Sequence, residues 1–167
     1  MTNPGSTPRG LSNATPEVAN LGIVRPPLVY LAAIVAGVVL ELTWPLALLP
    51  HGLATPVGSV LVALAVALFS YSVGRFRAAG TPVPGNEPTT VIVRTGPYRF
   101  SRNPIYLAFS LLQLGIAVWV DSPWLVATLI GAIVLMGMVV IPREERYLER
   151  RFGAEYLDYR STVRRWL

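Results

Sequence analysis

The run WLVATLIGAIVLMGMVVI, residues 124–141, holds no charged residue and stops at Pro142-Arg143-Glu144-Glu145. A helix needs about 20 predominantly apolar residues to cross a bilayer, with a range of about 17 to 25, so this run predicts a membrane-spanning helix. Three more apolar runs precede it, at 28–49, 57–74 and 105–120, each bounded by breakers or charges. The third is short for a span. With 53% hydrophobic and 14% charged residues, the chain falls outside the usual soluble composition. The expected fold is an all-α integral membrane protein of four transmembrane helices.

The connections between the runs orient them. Residues 75–103 carry Arg75, Arg77, Arg94, Arg99 and Arg102 against one acid, Glu87, whereas 50–56 holds only His51 and the link after 120 only Asp121. Cytosolic loops collect arginine and lysine, so the arginine-rich loop and both termini are expected in the cytosol. Trp44, Trp119 and Trp124 then fall at the opposite interface, where amphipathic rings are favoured. The expected organisation is a flexible arm at 1–25, helices one and two within 26–74, a cytosolic loop at 75–104, helices three and four within 105–141, and an amphipathic helical cap at 142–167. The cap should run from Arg143 to Phe152, break at Gly153 and resume through about Tyr159. Its Leu148, Phe152 and Tyr156 form a stripe against the membrane surface or the loop. The arm lacks the basic and apolar regions of a signal peptide and is expected to be retained; the acceptor pattern at Asn13 is read as chance. A bacterial cytoplasmic membrane is the expected location.

Composition removes several functions. All fourteen basic residues are arginines, but they flank apolar runs, and those of the tail are diluted by Glu144, Glu145, Glu149, Glu155 and Asp158; nucleic acid is not the expected partner. Cysteine is absent and His51 is the only histidine, so thiol chemistry is excluded and no metal is expected. No internal repeat suggests an inverted-repeat transporter.

Three places can carry chemistry. Glu41 lies within the first apolar run, where an ionisable group costs about 2.5 to 3.5 kcal/mol; it is read either as a carboxyl satisfied by Thr43 or as a substrate contact. Asn103 suits an N-cap and Pro104 a first helical position, so helix three should begin there. Its N-terminus and Arg102 together favour a carboxylate or phosphate, although capping and topology alone would also explain these residues. Glu144 and Glu145 follow helix four at the same depth, and can pair with arginines or hold an ammonium or sulfonium group. If helices three and four form a hairpin, the two ends suit an amino-acid zwitterion.

The run Thr95-Gly96-Pro97-Tyr98-Arg99-Phe100-Ser101-Arg102-Asn103-Pro104-Ile105-Tyr106, the pair Glu144-Glu145, the segment Phe152-Gly153-Ala154-Glu155-Tyr156 through Tyr159, and Arg165-Trp166 together resemble the C-terminal core of isoprenylcysteine carboxyl methyltransferases and related membrane phospholipid and thiol methyltransferases. Ala79-Gly80-Thr81 is also similar to their pattern. The resemblance implies S-adenosylmethionine as methyl donor, held without a Rossmann domain between the cytosolic ends of the last two spans, and a lipophilic acceptor reached from the bilayer. By matching positions it places Arg102 and Asn103 in catalysis, and Tyr98, Arg102, Asn103, Pro104, Tyr106, Glu144, Glu145 and Tyr156 around the cofactor. Glu41 and Arg165 are expected toward the substrate. Asn103 stands where that pattern has histidine, and Arg164 where it has proline; asparagine hydrogen-bonds but is no general base near neutral pH. Two rival functions remain on the sequence: an NADPH-dependent membrane reductase with a similar core, and a non-enzymatic scaffold in which Glu144, Glu145 and Arg102 form a structural ion network.

Overall fold

The computed structural model describes residues 25–47, 49, 52–83 and 88–167. The arm before Arg25, the pattern at Asn13, His51 and Glu87 lie outside the described residues. The remainder is helical, with no strand among the described residues. Helix α1 spans Pro26–Thr43, α2 Ala54–Ala78, α3 Pro104–Trp119, α4 Pro123–Leu135, α5 Ile141–Phe152 and α6 Ala154–Thr162.

Local chemistry sets the boundaries. Pro26 and Pro27 open α1 where missing amide hydrogens do no harm, and the helix ends at Thr43, ahead of Pro45. Helix α3 begins at Pro104 with Asn103 in the N-cap position, as its sequence predicts. Ser122 caps α4, accepting the amide of Leu125 on its side chain. Gly153, at φ +53°, separates α5 from α6; that conformation is cheap only for glycine.

One boundary differs from expectation. A break was expected at Pro142, but α4 runs into α5 through the π-helical turn Met136–Val140, giving one apolar-to-charged helix over Pro123–Phe152. The amide of Ile141 reaches back to the carbonyl of Met136. That wider turn accommodates a proline that lacks a donor and would crowd the preceding turn of a regular helix.

Pro26–Thr43, Ala54–Ala78 and the continuous helix Pro123–Phe152 are each long and apolar enough to cross a membrane, whereas α3 is apolar but shorter. Much of their surface is outward-facing aliphatic side chain, as at Leu31, Val35, Val60, Leu64, Ile130 and Val134. A contiguous apolar exterior of this kind suits lipid rather than water. Inside, α2 packs along α3 and α1 along α4. The α2–α3 contact is close because of two glycines: a Cβ on Gly58 would fall 2.5 Å from the backbone nitrogen of Trp119, and one on Gly115 2.8 Å from that of Val62. Small residues at such crossings let helix backbones approach in lipid. Between α1, α3 and α4 the core is Tyr30, Tyr106, Leu129, Met136 and Ile141, with Trp166 of the C-terminal segment packed against it.

The tryptophan-rich end is closed by hydrogen bonds. Trp124 Nε1 donates to the carbonyl of Trp44 at 2.6 Å, and the amide of Leu49 donates to Asp121 Oδ1 at 2.8 Å. The opposite end, where α3 starts and α4 passes into α5, carries the polar cluster described next.

Candidate active site

The approach to α3 is built by a tight turn. Gly96, at φ +64°, packs against the Arg75 side chain and the Tyr71 hydroxyl and starts the 3-10 turn Gly96–Arg99, which buries Pro97 and Tyr98. The chain then meets its own C-terminal segment. The amide of Arg102 donates to the carbonyl of Arg164 at 2.9 Å, and the carbonyl of Arg165 accepts from Asn103 Nδ2 at 3.0 Å and Ser101 Oγ at 3.2 Å.

The side chain of Asn103 therefore makes no cap bond to α3. It ties the last residues of the chain to the helix start. Pro104 has no amide hydrogen, and the amides of Tyr106 and Leu107 are already bonded to the Asn103 carbonyl. The positive character of this end comes chiefly from the Arg102 guanidinium.

The two adjacent glutamates have different surroundings. Glu145 is buried and lies between two arginines: Arg102 Nη2 is 3.2 Å from Oε1, Arg165 Nη2 2.7 Å from Oε2, and Arg165 Nε 3.1 Å from Oε1. The hydrogen bond to Glu145 holds the Arg165 guanidinium more firmly in its charged form than usual. Glu144 forms no ion pair among the described residues; its Oε2 accepts from the Tyr106 hydroxyl at 2.8 Å. Lying beyond the apolar part of its helix, Glu144 is pushed up to about 7 by burial, against the lowering effect of that hydrogen bond. A carboxylate so placed favours a cation, or else a proton.

Around these groups the start of α3, the α5 face and α6 enclose a narrow cleft of about 80 Å³. Its lining is polar at Tyr98, Arg102, Glu144, Glu145 and Tyr156, and apolar at Val83, Val91, Ile92, Val93 and Ile105. The hydroxyl of Tyr98 and Nε of Arg102 are buried with no hydrogen-bond partner among the described residues. Burial pushes Tyr156 up to about 12 and raises Tyr98 and Tyr159 further, so all three remain neutral hydrogen-bond donors. Tyr159 donates to the carbonyl of Tyr98 at 2.8 Å, and Arg102 Nη1 reaches the Tyr156 hydroxyl at 3.4 Å.

The structure thus brings Tyr98, Arg102, Asn103, Pro104, Tyr106, Glu144, Glu145 and Tyr156 to one cleft. Arg165 is not among the lining residues and pairs with Glu145. Glu41 is not among the cleft residues: it accepts from Ser122 Oγ at 2.6 Å and from the amide of Leu46 at 3.2 Å, while Thr43 bonds to the carbonyls of Val39 and Leu40 instead. Of the stripe Leu148, Phe152 and Tyr156, the first and last line the cleft. Sequence reasoning assigned no role to Tyr159, Ser101 or Thr89, nor to Tyr30, whose hydroxyl is 2.8 Å from Ser110 Oγ and donates to the carbonyl of Tyr106 at 3.3 Å. A tyrosine within the aliphatic first part of its run, residues 28–40, was the available signal for Tyr30.

Among known proteins, the phospholipid methyltransferase family model matches residues 53–155, more than half of the chain. An uncharacterised protein of Haemophilus influenzae is 38% identical over 63 residues, which cover 38% of this chain and all of that protein. The protein-S-isoprenylcysteine O-methyltransferase of Saccharomyces cerevisiae is 34% identical over 77 residues, 46% of this chain and 32% of the yeast protein. Protein-S-isoprenylcysteine O-methyltransferase A of Arabidopsis thaliana is 34% identical over 74 residues, 43% of this chain and 36% of the plant protein. The chain spans about a third of the length of these two methyltransferases. No solved structure matches. The matched region contains α2, α3, α4, α5 and nearly all the polar cleft residues, and the chain belongs to the phospholipid methyltransferase family.

Proposed function

We propose that the protein is an integral-membrane enzyme that moves a methyl group from S-adenosylmethionine to a lipophilic acceptor, an isoprenylcysteine-type carboxylate being the preferred class. The observation that carries this is the lining of the cleft: Glu144 with no cation among the described residues, buried Tyr98 and Arg102 donors with no acceptor among them, and aliphatic side chains in the same lining.

The chemistry of these residues fits the cofactor. Glu144 suits a sulfonium or ammonium group, and Arg102 with Tyr98 suits a carboxylate. When bound, S-adenosylmethionine supplies an electrophilic methyl group. The protein's part is to position and to exclude water. Val91, Val93 and Ile105 desolvate the acceptor, while Arg102, anchored on Glu145 and Tyr156, keeps its Nε for the cofactor's carboxylate. An ionised carboxylate has no proton to lose, so Asn103 in place of a histidine is compatible with the reaction. Four crossings, with both termini and the cleft at the cytosolic face, belong to the same proposal; the arginine bias of 75–102 and 143–165 supports that orientation.

The test is calorimetric titration of the detergent-purified protein with S-adenosylhomocysteine and, in parallel, NADPH. Saturable binding of the former alone is expected, followed by transfer of labelled methyl to a prenylated cysteine but not to phosphatidylethanolamine. Binding of NADPH alone would turn the assignment to a reductase. Binding of neither by folded protein would leave Glu144, Glu145 and Arg102 as a structural network.

A further inference from the structure

A second concavity lies outside the cleft, on the bilayer-facing side of α1 and α4. It is an open groove of about 520 Å³, walled by Leu28, Ala32 and Ala33 of α1 and by Gly131, Ala132 and Leu135 of α4, with Arg25 at one end. A Cβ added to Gly131, one of the lining residues, would meet nothing within 4 Å among the described residues, so a side chain has room there. Leu28 and Leu135 are 56% and 41% exposed on its two rims.

The polar character of the groove is concentrated at its Arg25 end. Thr128 on its wall already donates its hydroxyl to the carbonyl of Leu125. Pro26 and Pro27 have no amide hydrogens, and the amide of Leu28 is bonded to the Arg25 carbonyl, so the first turn of α1 offers an anion little besides the guanidinium. Arg25 is exposed and has no carboxylate partner among the described residues, unlike Arg94, Arg102, Arg160 and Arg165. From Arg25 to Ala33 the helix rises about 12 Å at 1.5 Å per residue, close to the roughly 15 Å of hydrocarbon in one leaflet. The occupant therefore needs a negative head at the interface and a flexible apolar body that follows two helices into the membrane.

A second copy of the chain meets neither need. Related by a two-fold axis along the membrane normal, it would set a concave face against a concave face, with Arg25 at the level of Arg25. We propose that the groove binds one anionic phospholipid of the surrounding bilayer, its phosphate on Arg25 and one acyl chain laid between α1 and α4. Basic pockets between transmembrane helices near the interface are the setting in which such headgroups are held. The proposal is independent of the chemistry assigned to the cleft.

The experiment uses the full chain reconstituted in an equal mixture of POPG and POPC, extracted gently and weighed by native mass spectrometry, with the melting temperature of each variant recorded. One retained phospholipid per chain is expected, with POPG favoured over POPC. Arg25→Gln should lower the POPG preference about fivefold, the effect of one cation near the surface, while Arg25→Lys keeps most of it. Gly131→Leu should reduce retention of both lipids by filling the groove, without loss of thermal stability. An unchanged POPG preference in Arg25→Gln, or wild-type retention in Gly131→Leu, overturns the proposal. So does a lipid-free dimer that Gly131→Leu dissociates, which would give the groove to a second copy.

Discussion

The guanidinium of Arg165 meets both oxygens of Glu145, with Nη2 at 2.7 Å and Nε at 3.1 Å. This two-point pair fastens the final segment of the chain to α5, beside the start of α3. Arg102 shares the same carboxylate at 3.2 Å, so removing its charge leaves two arginines without their acid. Glu145→Gln is expected to cost about 2–3 kcal/mol, below the range for fully buried pairs because Arg165 keeps contact with water. Arg165→Lys should cost less, about 1 kcal/mol, by loss of the second contact point. Denaturation of the detergent-solubilised variants checks the order; equal stability in all three proteins would show that the cluster does not hold the tail.

Glu144 should behave in the opposite way. With no ion pair among the described residues to lose, Glu144→Gln is expected to leave stability unchanged or slightly higher, while weakening S-adenosylmethionine binding at least tenfold. Loss of stability without loss of affinity would move this residue from the ligand to the scaffold.

The same carboxyl predicts a pH dependence. Its folded pKa, about 7, lies above the ordinary 4.5, so its contribution to the stability of the ligand-free protein is full below pH 4.5 and is lost as pH rises through 7. A cation needs the ionised form. Affinity for S-adenosylmethionine should therefore fall as pH drops below about 7, approaching tenfold per unit, and Glu144→Gln should flatten that slope. Tyr98, Tyr156 and Tyr159 titrate above this window and do not contribute. Titrations at several pH values with both proteins measure it, and an identical slope in the variant would assign the proton elsewhere.

Close packing of α2 on α3 makes a separate claim. Gly115→Leu forces a side chain against the Val62 backbone, where even a Cβ would approach to 2.8 Å, and should cost about 2–3 kcal/mol or prevent folding. Gly137→Leu, at a glycine with no neighbour among the described residues within 4 Å of an added Cβ, is the control and should be tolerated. Thermal unfolding of the pair tests whether the crossing depends on that contact.

These contrasts show where sequence was informative. Apolar runs and prolines located the helices, because length and missing amide hydrogens act locally; Asn103 marked the start of α3 although its side chain bonds the Arg165 carbonyl rather than the helix. The Glu145 network was foreseen only as a possibility, since pairing with Arg165 depends on the chain returning beneath α3. Pro142 misled for a physical reason: a π-turn can absorb a missing donor, and nothing in MGMVV advertises one. Glu41 was ambiguous because its partner, Ser122, lies 81 residues away. Long-range partners of single polar side chains are not periodic, and periodicity is what a lone sequence displays.

Asn103 provides the last test, because its amide acts as a donor. Its Nδ2 donates to the carbonyl of Arg165 at 3.0 Å, and no bond of its side chain caps α3. If capping were its role, Asn103→Asp should be neutral, as aspartate is as good a cap residue. With the observed bond, aspartate sets a carboxylate against a carbonyl, and a cost of about 1–3 kcal/mol is expected from the unmade contact. Asn103→Ala should be milder, because Ser101 Oγ still reaches the same carbonyl at 3.2 Å. Hydrogen exchange at the C-terminal segment reads the effect directly: faster exchange of Arg164 to Leu167 in the aspartate variant than in the alanine variant supports the tether. The reverse order would return Asn103 to the helix cap.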